Sequence, residues 1–216
     1  MQPKWKNVLL TDSGFYYDNE LDKPLPTLIN RLREMLAKPF DTARVLFIPT
    51  AAMQVPAKAE EITNRLRNEL LQIGIQPQNI TIHDIDGTLS AAQAMEYDII
   101  YLTGGNTPYL AQRVFDAGFD TIIRQMVFAN KIYVGMSAGS MLLMHNFNVD
   151  NLPNPERFVG LGLVDVYFTV HCTSGTPNRT DFPTPHISME CNQAIEAWDG
   201  GYKLLKEDLC TLYPQN

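Results

Sequence analysis

Uninterrupted apolar segments that alternate with helical segments constrain the fold of this chain more than any other feature. Residues 45–48 read Val-Leu-Phe-Ile, and residues 99–102 read Ile-Ile-Tyr-Leu, so neither predicted strand has a polar face. Such strands are buried on both sides, as in parallel sheets. Segments 25–36 and 57–71 carry apolar residues at helical spacing and predict βαβ units. We expect an α/β fold: a three-layer, doubly wound, mostly parallel sheet with helices on both faces.

The chain changes character in its last third. Residues 146–155 are polar and contain two prolines, which predicts a loop. Segments 193–198 and 202–205 flank a Gly-Gly turn and predict a C-terminal β-hairpin. We find no internal repeat and no linker, and we therefore expect one domain over residues 1–216.

The composition narrows the class of partner. The formal net charge of −7 argues against nucleic acid and anionic membrane as binding partners. The three cysteines form no C-x-x-C pair, which favours a reducing compartment over a disulfide framework. With no signal-peptide pattern at the N-terminus, we predict a cytoplasmic protein. The spacing of histidine and cysteine matches no zinc pattern, so we expect no metal and no cofactor.

The segment Gly135-Met136-Ser137-Ala138-Gly139 fits the G-x-S-x-G pattern of a nucleophile elbow. It follows a predicted strand and precedes a helical segment, which is the context that the pattern requires. Small residues two before and two after the serine let the chain turn sharply and expose the hydroxyl. The next backbone N–H, that of Ala138, lies at a helix N-terminus and can donate to an oxyanion. We predict that Ser137 is a nucleophile.

Two glycines, Gly104 and Gly105, end another predicted strand. In doubly wound sheets this loop and the serine lie at the same carboxyl edge. A free N–H of Gly105 is the candidate for the second oxyanion donor. The pattern is neither G-x-G-x-x-G nor a Walker loop, which argues against phosphate binding.

A serine nucleophile needs a base, and the base needs an acid that fixes its tautomer. The histidines are His83, His145, His171 and His186. We rank His171 first because it ends an apolar strand, and we do not exclude His186. The residue types and their positions do not identify which acid orients the histidine. The candidates are Glu190, Asp150, Asp165 and Asp181.

Four motifs together resemble one family. They are Phe-Ile-Pro-Thr-Ala at 47–51, Gly-Gly-Asn-Thr at 104–107, the segment 135–139, and Leu-Gly-Leu-Val at 161–164 leading to His171. In their order and spacing over residues 1 to 172, the chain resembles peptidase E, the aspartyl dipeptidase family, within the class I glutamine amidotransferase-like fold.

The resemblance implies a triad of Ser137, His171 and Glu190 in that chain order. It also implies an oxyanion hole made by the N–H groups of Gly105 and Ala138. Asp150, which lies near a family aspartate, is the alternative acid.

The substrate-binding residues that we expect are Asn106 and Arg179. Arg179 is the only arginine in a segment between His171 and Glu190 that is shorter than in the family. The preference for an N-terminal aspartate is therefore left open.

We predict a serine peptidase that hydrolyses short peptides, dipeptides with Asp-X among them, through an acyl-enzyme. Its partner would be a small peptide, and the protein would be a monomer or a homodimer. The alternatives are an esterase, a glutaminase-like amidotransferase, and a non-catalytic binding module on the same fold. The chain order after Ser137 argues against an esterase, and a serine where glutaminases use cysteine argues against an amidotransferase.

Overall fold

The structure is a computed structural model, and it describes residues 4–148, 157–180 and 185–213. The strands are Val8–Thr11 (β1), Val45–Ile48 (β2), Ile80–Ile82 (β3), Ile99–Leu102 (β4), Ile132–Met136 (β5), Asn146–Asn148 (β6), Arg157–Val159 (β7), Tyr167–Thr169 (β8), His186–Ser188 (β9), Gln193–Trp198 (β10) and Gly201–Lys206 (β11). The helices are Pro26–Leu36 (α1), Pro56–Gln72 (α2), Ala91–Ala94 (α3), Thr107–Asp116 (α4), Phe119–Phe128 (α5), Ala138–Met141 (α6) and Leu209–Leu212 (α7).

The central sheet has the strand order β11-β10-β1-β5-β4-β2-β3. The last five strands in that order pair in parallel, whereas β10 runs antiparallel to β1 and forms a hairpin with β11. The α/β class, the mostly parallel sheet and the C-terminal hairpin are therefore confirmed.

Side chains that alternate along the strands divide the core into two layers. Val45 and Phe47 of β2 pack with α1 and α2 on one face, through residues such as Leu28 and Leu66. Leu46 and Ile48 of the same strand pack on the other face with α3 to α6. Strands β2 and β4 are buried on both sides, which is why their sequences have no polar face.

Strand register brings two distant segments to one edge of the sheet. Thr11 of β1 pairs with Met136 of β5, and Leu102 of β4 pairs with Gly135. The residues that follow these strands therefore lie side by side at the carboxyl edge, where doubly wound sheets bind ligands.

The last third contains two small ladders that the sequence did not predict. Residues 146–148, expected to be a loop, form β6, which pairs antiparallel with β7 through Phe147 and Phe158. These two rings stack with centroids 5.6 Å apart, and burial of the aromatic pair favours the hairpin. The rest of the predicted loop lies outside the described residues. β8 pairs in parallel with β9. Within the described part of the chain, no helix is long and apolar enough to cross a membrane.

Candidate active site

Ser137 stands between β5 and α6 with a backbone that non-glycine residues rarely adopt, at φ 48° and ψ −106°. The flanking glycines permit this turn. A Cβ on Gly135 would lie 2.7 Å from the Ser140 nitrogen, and one on Gly139 would lie 2.3 Å from the Leu102 carbonyl oxygen. Both positions therefore require glycine, and together they form the geometry of a nucleophile elbow.

Hydrogen bonds from the end of β1 hold this elbow. The Ser137 N–H donates to the Thr11 carbonyl at 3.0 Å, and the Ser140 hydroxyl donates to the same carbonyl at 2.8 Å. The Thr11 hydroxyl donates in return to the Gly135 carbonyl at 3.0 Å. All of these groups are buried, so the serine is fixed by the sheet itself.

The structure brings His171 to the serine. Its Nε2 lies 2.9 Å from the Ser137 Oγ, within hydrogen-bond distance. His171 follows β8 by two residues and has a left-handed backbone, at φ 60°. The side chain of His171 is 57% exposed, whereas Ser137 as a whole residue is only 9% exposed. The imidazole therefore faces the solvent from which a substrate would approach.

Asp12, which follows β1, holds the other side of the imidazole. Its Oδ2 lies 3.2 Å from Nδ1 of His171, and its Oδ1 accepts the backbone N–H of the same residue. The Ser13 hydroxyl donates to Oδ2 at 2.6 Å. Asp12 is fully buried, and a buried carboxylate persists only when it is paired and hydrogen-bonded as it is here.

These contacts set the protonation of the histidine. An Nδ1–H that donates to Asp12 leaves the Nε2 lone pair directed at the serine hydroxyl, which is the tautomer that a general base needs. The hydrogen bond to Asp12 raises the pKa of His171 above its ordinary value of 6.5; partial burial opposes this rise, and the charge of Asp12 adds to it. The structure therefore assembles serine, histidine and aspartate in a line.

The structure does not place Glu190 at His171, where the resemblance implied the acid of the triad. The Glu190 carboxylate lies 3.6 Å from the Lys206 ammonium instead. Its backbone N–H donates to the Gln193 side chain, which anchors the residue at the start of β10. The position beside Nδ1 is already occupied by Asp12, so the aspartate takes the place that we expected for the glutamate.

The other acids offered by the sequence are accounted for in different ways. Asp165 lies 3.1 Å from Nε2 of His145 on the surface, which makes it a partner of another histidine. Asp150 and Asp181 lie outside the described residues. Asp12 was not among the candidate acids of the sequence analysis. Its position after a strand at the carboxyl edge was the available signal.

The loop after β4 approaches the serine closely. A Cβ on Gly104 would lie 3.3 Å from the Ser137 Cβ. A Cβ on Gly105 would lie 2.2 Å from the Ala51 carbonyl oxygen, and Gly105 has φ 142°, so only glycine fits there. Ala138 is the first residue of α6, and its N–H has no acceptor within that helix. Both expected oxyanion donors thus belong to segments that meet at the serine.

Asn106 links the loop after β4 to the helix that follows it. Its Oδ1 accepts the Tyr109 N–H at 2.9 Å and caps α4, and its Nδ2 donates to the Gln54 side chain at 2.8 Å. These bonds fix the loop to the helix. Its role in substrate binding stays a prediction.

Arg179 lies in the exposed loop that follows His171. Its backbone N–H donates to Nδ1 of His186 at 3.1 Å, and Nε2 of that histidine lies 2.9 Å from the Thr169 hydroxyl. His186 is therefore a buried structural residue that ties the loop to β8. This removes His186 from the candidates for the base.

A cavity of about 760 Å³ opens beside the segment that follows His171. Its lining includes Tyr17, Cys172, Glu190, Lys206 and Asp208. The three cysteines are free thiols. In the three described ranges, no group of three or more histidine, cysteine or acidic side chains is arranged to hold a metal ion.

Comparison with known proteins points to one family. The family model for peptidase family S51 matches residues 8–201. An uncharacterized peptidase, PM1590 of Pasteurella multocida, is 33% identical over 145 residues, which cover 60% of this chain and 65% of that relative. This chain thus spans just under two thirds of that relative. Peptidase E of Salmonella arizonae is 29% identical over 174 residues, which cover 79% of this chain and 70% of the enzyme.

The solved structures agree at the level of the fold. A peptidase from an acI-B1 Actinobacterium superimposes with a TM-score of 0.66 at 19% identity, over 94% of this chain and 88% of that one. The resemblance to peptidase E that the motifs indicated is therefore confirmed.

Proposed function

Because its family match covers residues 8–201, the chain belongs to peptidase family S51, and we propose that it is a serine peptidase acting on short peptides through Ser137, His171 and Asp12. The observation that carries the proposal is the line of contacts from Ser137 Oγ to Nε2 at 2.9 Å and from Nδ1 to Asp12 Oδ2 at 3.2 Å. A strained serine that faces an oriented, exposed histidine is the arrangement that acyl transfer requires.

The first half of the reaction follows from these positions. Ser137 Oγ attacks the carbonyl carbon of the peptide bond, and its proton passes to Nε2 of His171. The oxyanion that forms accepts the N–H groups of Gly105 and Ala138. Nε2 then gives its proton to the leaving nitrogen as the C–N bond breaks, which leaves an ester on Ser137. Each oxyanion donor lowers the barrier by about 3–4 kcal/mol.

The second half repeats these roles with water. Nε2 takes a proton from the water molecule that attacks the ester, and it returns that proton to Ser137 Oγ as the acid product leaves. The Asp12 carboxylate stabilises the imidazolium in both halves. Asp12 therefore acts on the histidine, and it never exchanges a proton with the substrate.

The substrate is proposed to be a dipeptide or a similarly short peptide, with an acidic first residue as one option. The support is the likeness to peptidase E, together with the exposed Arg179 in the loop after His171. The cavity that borders that loop is lined by Lys206 and by three acidic residues, Glu190, Glu207 and Asp208. Its excess of carboxylates suits the ammonium group of a peptide.

The proposal is tested by incubating the protein with Asp-X, Glu-X and neutral dipeptides and assaying for released amino groups. A fluorophosphonate probe applied in parallel reports an activated serine without any assumption about the substrate. We expect cleavage and labelling in the wild type and neither in Ser137→Ala. The matched control is Ser90→Ala, which removes a serine hydroxyl that caps α3 and should keep both activities.

Each outcome has a distinct meaning. Labelling without cleavage of any dipeptide would leave the activated serine in place and reject the substrate class. Absence of labelling in the folded wild-type protein would reject the peptidase and favour a non-catalytic scaffold.

A further inference from the structure

A buried carboxylate lies beneath the turn that carries Asp12. Glu69 of α2 is fully buried, which is rare for a glutamate in a globular protein. Its Oε2 accepts the Phe15 N–H at 3.1 Å, and its Oε1 lies 3.1 Å from the Arg65 guanidinium one helical turn earlier. The carboxylate thus bonds directly to the backbone of the segment after β1.

The Glu69 carboxylate packs directly against the backbone of Gly14 in this turn. Gly14 has φ 97°, and a Cβ added to it would lie 2.6 Å from Glu69 Oε2. Any side chain at this position would displace either the turn or the carboxylate. The absence of a side chain at Gly14 is therefore what lets Glu69 reach the backbone.

The same ion pair also reaches the serine side of the site. Arg65 Nη2 lies 4.0 Å from the sulfur of Met136, the residue before Ser137. On the turn itself, the Gly14 N–H donates to the Thr11 hydroxyl at 3.2 Å, and Ser13 donates to Asp12. Glu69 therefore contacts the turn 12–15, and Arg65 contacts Met136, the residue before the elbow.

We propose that Glu69, in its ionised form, is a positioning residue that fixes the turn 12–15 and, through Asp12, the orientation of His171. The inference rests on the proposed function. It adds Glu69 to His171 as a second group whose protonation state affects the reaction. Loss of the carboxylate charge weakens its bonds to Phe15 and Arg65, and the turn then no longer holds Asp12 against Nδ1.

The charged and titratable groups around Glu69 are few. Arg65 faces it from its own helix, Tyr101 from β4, and Tyr16 from the turn. The Tyr101 hydroxyl is buried and has no hydrogen-bond partner among the residues described here. Burial raises the pKa of Glu69 to about 7, against the opposing effects of the Phe15 N–H and Arg65. Glu69 and His171, both with raised pKa values, therefore each take up a proton as the pH falls.

The first experiment is the pH profile of kcat/KM from pH 5 to 9, measured for the wild type and Glu69→Gln on the best-cleaved peptide. Protonation of His171 should abolish the wild-type activity, and protonation of Glu69 should lower it a further tenfold, so that the logarithm of kcat/KM falls with a slope above 1 over the pH range in which Glu69 titrates. Glu69→Gln should show a slope of 1 and a plateau about tenfold lower. A slope of 1 in the wild type, or identical profiles, would overturn the proposal.

The second experiment reads the histidine directly. Titration of the His171 ring by NMR needs no substrate, so it decides the positioning role even if no peptide is cleaved. We expect Glu69→Gln to lower the pKa of His171 toward 6.5, since the bond to Asp12 is what raises it. An unchanged pKa in a folded Glu69→Gln variant would make Glu69 a purely structural residue.

Two further variants separate the proposed role of Glu69 from misfolding and from unspecific effects of a core substitution. Gly14→Ala places a Cβ against the Glu69 carboxylate, and it should lower the pKa of His171 as Glu69→Gln does. Tyr101→Phe removes a buried hydroxyl beside Glu69 without touching the turn, and it should leave the pKa of His171 and the acid slope unchanged. The opposite pattern would contradict the proposal.

Discussion

The two halves of the site are held in different ways. Ser137 lies in the sheet edge formed by β1, β4 and β5, where buried hydrogen bonds fix it from both neighbouring strands. His171 comes from the last third of the chain, after a strand of three residues, and its side chain is 57% exposed. A nucleophile placed by the sheet thus faces a base placed by one loop.

Asp12 bridges this difference. It belongs to the sheet edge, yet it binds both the backbone N–H and the ring of His171. A single buried carboxylate therefore fixes the loop that carries the histidine to the edge of the sheet. The comparison teaches that the acid of this site positions its histidine as well as setting its tautomer.

The largest effect is expected when Asp12, which links the sheet edge to His171, is replaced. Asp12→Asn should lower kcat by about 10⁴-fold, because the histidine loses both its anchor and its correct tautomer. Glu190→Gln, a matched change of an acid in the same region, should lower kcat less than about tenfold because Glu190 contacts Lys206. Steady-state kinetics on one peptide measure both, and equal losses would refute the assignment of Asp12 over Glu190.

Glycine substitutions sharpen the contrast between the two regions. Gly105→Ala should lower kcat/KM by about 10²–10³-fold, since the new Cβ would lie 2.2 Å from the Ala51 oxygen and displace the oxyanion loop. Gly175→Ala, in the loop after His171, meets no atom within 4 Å and should leave kcat/KM within about threefold despite its φ of 84°. Thermal melting of both variants separates loss of activity from loss of fold.

The smallest expected effect concerns the stability of the sheet side. The folded protein raises the pKa of Glu69 from 4.5 to about 7, so the folded state holds a proton that the unfolded state releases. This group should therefore cost stability as the pH rises from 4.5 to 7, by about 3 kcal/mol in total. Urea unfolding over that range should show a decline that is smaller in Glu69→Gln. A decline of the same size in the variant would assign it to other groups.

Much of this structure follows from local sequence. Continuous apolar strands gave the parallel sheet, and the small residues around Ser137 gave the elbow, because both depend on neighbours in the chain. His171 could be ranked first because it ends a strand. The partner of its Nδ1 could not be found in this way, since Asp12 is 159 positions away and reaches it only through the pairing of Thr11 with Met136.

Two further residues make contacts that the sequence did not indicate. Glu190 was chosen by chain order in a resembling family, and chain order does not determine which carboxylate fills a position in space. Asn106 was expected to bind substrate, and its oxygen also caps the helix that follows, as is common for an asparagine just before a helix.

The separation between Asp12 and His171 also bears on how the protein is made. Chains fold from the N-terminus as they are synthesised, so β1 to β5 and the serine elbow can form while the histidine is still untranslated. The outer neighbour of β1 is β10, residues 193–198, which arrives later still. A nascent chain that has reached β5 therefore carries the serine elbow without its histidine, and the two meet only after β8 and His171 have been synthesised.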